Sequence, residues 1–141
     1  RDRLDFEVAG YEFPEIDDGD YDSNWLMVRL DVDSRVGSWT AIQPCLFTWE
    51  LVELVEAAGK AAKGMMDRAT EVRFMEPNLA FFLQPLDDEK VEMAVEFDAE
   101  CLPPEWPEDK PCRLLGHVSR QALEDVRSGL QRDLTRYPVR T

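Results

Sequence analysis

Apolar and polar residues alternate along several stretches, and each such stretch predicts a strand with one buried face. Leu4, Phe6 and Val8 alternate with Asp5, Glu7 and Ala9. Leu26, Val28, Leu30 and Val32 alternate with Met27, Arg29, Asp31 and Asp33. Asp33-Ser34-Arg35 can turn the chain into a third strand around residues 36–43, which carries Trp39 and Ile42 and is expected to end at Pro44. Val72 and Phe74 mark a fourth strand. Leu79, Phe81 and Leu83 mark a fifth, behind the breaker Glu76-Pro77-Asn78. A turn over residues 85–90 leads into Val91, Met93, Val95 and Phe97, again alternating, and residues 112–118 can add a last short strand.

Two segments follow helical spacing instead. After Thr48, a good N-cap, come Leu51, Val52, Leu54, Val55 and Ala58, with Glu50, Glu53 and Glu56 expected on the wet side. Gly59 and Gly64 weaken the second half, so this helix is expected to end near residue 63. Ser119 caps a final helix with Leu123, Val126, Leu130 and Leu134 on one stripe, closed by Pro138. Residues 14–23 read as an acidic loop, and residues 102–112, with four prolines and Trp106, as an irregular one. The order βββαβββ(β)α predicts an α+β fold: an antiparallel sheet of six to seven strands with two amphipathic helices on one face. Residues 1–141 are expected to form a single domain, with no repeat and no linker.

Composition sharpens this picture through its charge. Apolar residues make up 44 % of the 141, enough for a core, while the net charge is −14. Residues 12–33 hold eight acids and one Arg, net −7. Residues 87–109 hold ten acids and one Lys, net −9, and the remainder is slightly positive. Such a surface is poorly suited to direct nucleic-acid binding and suits a cationic partner. No apolar run is long enough for a membrane span. The start, Arg-Asp-Arg, has no apolar signal core behind it, and with no Met the chain is expected to be either trimmed or an excised piece. Three cysteines without C-x-x-C spacing suggest neither a disulfide framework nor a zinc site, and a reducing cytoplasm is the simplest setting.

Strand alternation throws the charged positions to the face opposite the core. If the strands share one sheet in phase, that face carries Asp5, Glu7, Arg29, Asp31, Asp33, Glu92, Glu96 and Asp98 and is mostly acidic, and Asp31, Asp33, Glu92, Glu96 and Asp98 are its candidate contacts. With Asp17, Asp18, Asp20 and Asp22 of the loop, and Trp25 as an anchor, these are the expected partner-binding residues. A merely solvated face is the competing reading. Trp25 and Trp39 also suit a core or sheet-rim position.

No recognisable catalytic motif emerges. Asp17–Asn24 has oxygen ligands at alternating positions, but Ser23 and Arg29 stand where a calcium loop opening at Asp18 needs Gly and Glu. No metal or cofactor is expected. His117 is the only histidine and lacks a recognisable nucleophile motif to serve. Cys45 sits at a strand-to-helix junction among apolar neighbours and reads as structural. Pro103-Pro104-Glu105-Trp106-Pro107 reads as a packed loop held by Trp106.

Several segments together carry a resemblance. Tyr21-Asp22-Ser23-Asn24-Trp25-Leu26, Gly37-Ser38-Trp39, Pro44-Cys45-Leu46, Thr48-Trp49-Glu50-Leu51, Glu76-Pro77-Asn78-Leu79, and Phe97 with Cys101 follow in this order. The set resembles the small bacterial proteins grouped as WapI-family immunity proteins, from about Leu4 to Pro138. The resemblance implies a cytoplasmic, non-enzymatic antitoxin that binds the C-terminal toxin domain of a large secreted repeat protein, often a nuclease. The charge clustering separately asks for a basic partner, so a cognate cationic toxin domain is the expected partner. An α+β scaffold or adaptor domain, homodimeric through a free strand edge, is the alternative from another class. A small hydrolase using carboxylates or metal is a third.

Overall fold

Leu26, Val28, Leu30 and Val32 stand on one side of strand β2 (Trp25–Ser34), and all four are buried. The computed structural model describes residues 2–141. It pairs β2 antiparallel with β1 (Arg3–Tyr11) on one side and β3 (Gly37–Phe47) on the other. Leu4 lies opposite Val32, Phe6 opposite Leu30 and Val8 opposite Val28, so the apolar face is continuous. A two-residue connection, Arg35-Val36, joins β2 to β3. Strand β3 does not end at residue 43 but runs through Pro44 to Phe47. Pro44 is tolerated because β3 is an edge strand and the register shifts beside it.

A second antiparallel sheet holds β4 (Thr70–Arg73), β5 (Leu79–Pro85), β6 (Lys90–Phe97) and β7 (Cys112–Ser119), in that order. The α+β class and the element order are those expected from the sequence, with the strands divided into sheets of three and four. The division falls at helix α1 (Thr48–Ala62), which separates β3 from β4. Short connections pair neighbours within each sheet, and the long helical one does not.

Both sheets turn their apolar faces to one core. Phe6 meets Phe81 edge-on at 6.2 Å between ring centroids, and Trp39 meets Phe97 at 5.2 Å. Helix α1 adds Leu51, Leu54 and Val55 to this core, and α2 (Arg120–Arg136) adds Leu130. Leu123 of α2 closes a smaller cluster with Ala61, Leu83 and Val91. Ser119 caps α2 as its sequence position implies, its Oγ accepting from the Ala122 N–H at 3.0 Å. Val126 is the exception on the α2 stripe, being about half exposed.

Helix α1 begins one residue earlier than its apolar spacing suggests. Phe47 occupies the cap position, and Thr48 is the first helical residue. Glu50, expected on the wet side, is buried. Its carboxylate accepts from the Phe47 N–H at 2.9 Å and from the Met75 N–H at 2.8 Å, so it closes the helix start and pins the segment after β4. Two charge-assisted bonds to otherwise unpaired donors offset the cost of burying it.

Helix α2 also guards the free edge of β1. The Val8 N–H donates to Asp133 Oδ2 at 3.4 Å, where the register shifts by one residue before Gly10. Burial, and less so the charge of Glu7, holds the Asp133 carboxyl above its ordinary value, against the Val8 bond and the nearby Arg132 and Arg136. The folded protein thus binds this proton more tightly than the unfolded chain. Its contribution is present below the unfolded value of about 3.9 and is lost as pH rises through the folded one. The variant Asp133→Asn should therefore gain stability relative to wild type between about pH 3 and pH 7. Urea denaturation of both proteins at both pH values checks this, and an unchanged difference contradicts it.

Candidate partner-binding surface

The chain between β1 and β2 is held by its own backbone and by the tail that follows α2. Asp18 Oδ1 accepts from the Asp20 N–H at 3.0 Å, and Asp20 Oδ1 from the Tyr21 N–H at 2.8 Å. A single 3-10 turn, Asp22–Asn24, then delivers the chain to β2. Asn24 is 1 % exposed and ties three segments together. Its Nδ2 donates to the carbonyls of Asp20 at 3.1 Å and Arg140 at 3.0 Å. Its Oδ1 accepts from Thr48 Oγ1 at 2.6 Å and from the Arg140 N–H at 2.8 Å.

Arg140 does not neutralise the loop's carboxylates. Its guanidinium donates to the backbone carbonyls of Phe13, Pro14 and Ile16 and lies 3.6 Å from the Tyr11 ring centroid. Asp17, Asp18, Asp20 and Asp22 are exposed, and among the described residues none forms an ion pair. Burial, and then the charge of Asp22, pushes the Glu12 carboxyl above its ordinary value.

Beside these acids stand four rings. Trp25 stacks on Phe47 with centroids 3.8 Å apart, and Phe47 stacks on Trp49 at 4.5 Å. Tyr21 meets Phe47 and Trp49 edge-on at 5.7 and 5.5 Å. Phe47 is buried, Trp25 and Trp49 are half-buried, and Tyr21 is 60 % exposed. The sequence singled out Trp25 for this surface and passed over Tyr21 and Trp49. Their positions, one residue after the acidic turn that ends at Asp20 and one after the helix start, offered a weak signal at most.

The remaining candidates lie elsewhere. Asp31 and Asp33 stand on the outer face of the first sheet, and Asp31 is about 20 Å along β2 from Trp25 at the usual rise per residue. Asp31 pairs with Arg29 at 2.9 Å and accepts from Thr40 Oγ1 at 2.6 Å. The Arg29 bond in particular holds its carboxyl below the ordinary range. Asp33 accepts from Ser38 Oγ at 2.8 Å, and Arg3 pairs with Asp5 at 2.9 Å. Arg3, Asp5, Asp31, Asp33, Ser38 and Thr40 border an open depression of about 340 Å³.

Glu92 and Glu96 stand on the outer face of the second sheet, each facing a basic side chain across the β6–β7 register. Glu96 lies 3.7 Å from Arg113, and Glu92 lies 3.9 Å from His117. Arg113 and Arg73 both lie over Phe82, at 4.2 and 5.2 Å from its centroid. Asp98 is half-buried and caps the short turn Ala99–Cys101, accepting from the Ala99 N–H at 2.8 Å. The ten candidates thus occupy three places, and only Asp17, Asp18, Asp20, Asp22 and Trp25 share one.

The three cysteines are free and buried. Contact with Cys101, 3.9 Å away between sulfurs, and then burial push the Cys45 thiol far above its ordinary value. A buried thiol held protonated in this way is a poor nucleophile. Among the described residues, no three His, Cys, Asp or Glu side chains are placed to hold a metal ion, and no helix is long and apolar enough to cross a membrane.

Among the described residues, the loop between β1 and β2 thus sets carboxylates without ion-pair partners beside a cluster of four rings, of which Tyr21 is the most exposed. A family model described as the immunity protein WapI-like family matches residues 1–138, and the chain belongs to that family. No curated protein matches the chain.

Proposed function

We propose that the protein is a non-enzymatic immunity protein that captures a cognate, cationic, nuclease-type toxin domain in the cytoplasm. Membership of an immunity-protein family supports the role. One observation supports the sign of the partner. On the outer faces of the sheets Asp5, Asp31 and Glu96 each have an arginine partner, whereas among the described residues the 12–24 loop leaves its carboxylates without one. Unpaired surface charge reaches furthest into solvent and steers an oppositely charged domain as it approaches.

Co-expression tests this reading. Cells carrying the variable C-terminal domain of a neighbouring large repeat-protein gene should lose viability, and this chain should restore it. A basic toxin domain that kills equally with and without this chain contradicts the proposal.

A further inference from the structure

We infer that Tyr21, Trp25 and Trp49 form an aromatic ledge that seats an arginine-bearing segment of a protein partner. This rests on reading the chain as a protein that captures another protein. The four tryptophans divide into two kinds. Trp39 donates its indole N–H to the Cys101 carbonyl at 3.0 Å, and Trp106 to the Lys110 carbonyl at 3.1 Å. Trp25 and Trp49 donate to no protein acceptor among the described residues, although both rings are only half-buried.

The protein's own arginines mark the same distinction. Arg140 covers Tyr11, Arg136 lies against Tyr137, and Phe82 has both Arg113 and Arg73. No cation lies over Tyr21, Trp25 or Trp49 among the described residues, even though these rings adjoin the most acidic loop. An aromatic face next to unpaired carboxylates favours a guanidinium over an ammonium. The guanidinium can stack on the ring and fork onto Asp20 or Asp22 at once, and an ammonium is a more strongly hydrated point charge. The ledge is also built in advance. Phe47 is clamped between the two indoles, and Asn24 fixes the turn that carries Tyr21, so little ordering remains for binding to complete.

The test uses nona-arginine and nona-lysine peptides as probes, with the indole N–H signals of the full chain followed by NMR. The Trp25 and Trp49 signals should move on adding nona-arginine, while those of Trp39 and Trp106 stay. Nona-lysine should bind about tenfold more weakly, and Tyr21→Ala should narrow that gap. Tyr21 is mostly solvent-exposed, so its loss leaves the core intact, and Trp49→Phe provides a second, conservative variant. Equal affinity for the two peptides, or movement confined to other parts of the chain, overturns the ledge. If wild type rescues cells from the toxin while the Trp25 and Trp49 signals stay put, the ledge is wrong and the immunity reading stands. If the ledge binds nona-arginine but rescue fails, the fault lies with the immunity reading alone.

Discussion

Replacing Asn24 by alanine should cost about 3 kcal/mol of folding stability, or roughly 10 °C in melting temperature for a chain of this size. Truncation orphans the Arg140 N–H and carbonyl and the buried Thr48 hydroxyl, while the Asp20 carbonyl keeps its bond from the Ser23 hydroxyl. Each buried group left unpaired carries a desolvation cost that no repacking of the small remaining side chain repays. The variant Asn24→Asp keeps the Oδ1 acceptor but turns a second oxygen toward two carbonyls, so it should also destabilise, and more at neutral than at acid pH. Guanidinium denaturation measures both. A loss below about 1 kcal/mol for Asn24→Ala would mean that the loop and tail do not hold one another through this residue.

The second large effect concerns association. Changing Asp18, Asp20 and Asp22 together to asparagine removes three charges and preserves side-chain acceptors for the Asp20 and Tyr21 N–H groups. The rate of capture of a basic toxin domain should fall about tenfold at low salt, near the lower end of what electrostatic steering supplies. Changing Glu92 and Glu96 to glutamine should slow capture far less. Arg113 already stands beside Glu96, so that carboxylate projects less free charge into solvent than those of the loop. Stopped-flow mixing of the two variants compares them. An equal effect from both sets, or none from the first, removes the loop from the account.

The strands were legible because burial of one face forces a period of two. The sequence of Leu26, Val28, Leu30 and Val32 admits few other readings, and β2 follows it residue for residue. Helix α2 was legible from Ser119 and the spacing of Leu123 and Leu130. The division into two sheets was hidden, since alternation states which face is apolar and not which strand lies beside which. Pro44 misled for a related reason. It ends a strand whose missing N–H would face a neighbour, and β3 has a neighbour on one side alone.

The charge pattern was read correctly as a count and incompletely as a surface. Glu96 and Arg113 are seventeen residues apart, and only the β6–β7 register brings them together. Arg140 likewise looks like a stray cation near the end of the chain. Its use as a clamp on the carbonyls of residues 13, 14 and 16 depends on where α2 releases the chain. Glu50 was assigned to water by its place among other glutamates, whereas two unpaired backbone donors draw it inward.

The most direct measurement is the association rate of the wild-type chain with its toxin domain as salt is raised from about 20 to about 500 mM, where screening shortens from tens of ångströms to a few. If exposed carboxylates on the 12–24 loop draw the toxin in, the rate constant falls by roughly tenfold or more over that range, and the asparagine variant shows a shallower slope. A rate indifferent to salt, with wild type and variant superimposed, would contradict the claim that this loop's free negative charge recognises the partner.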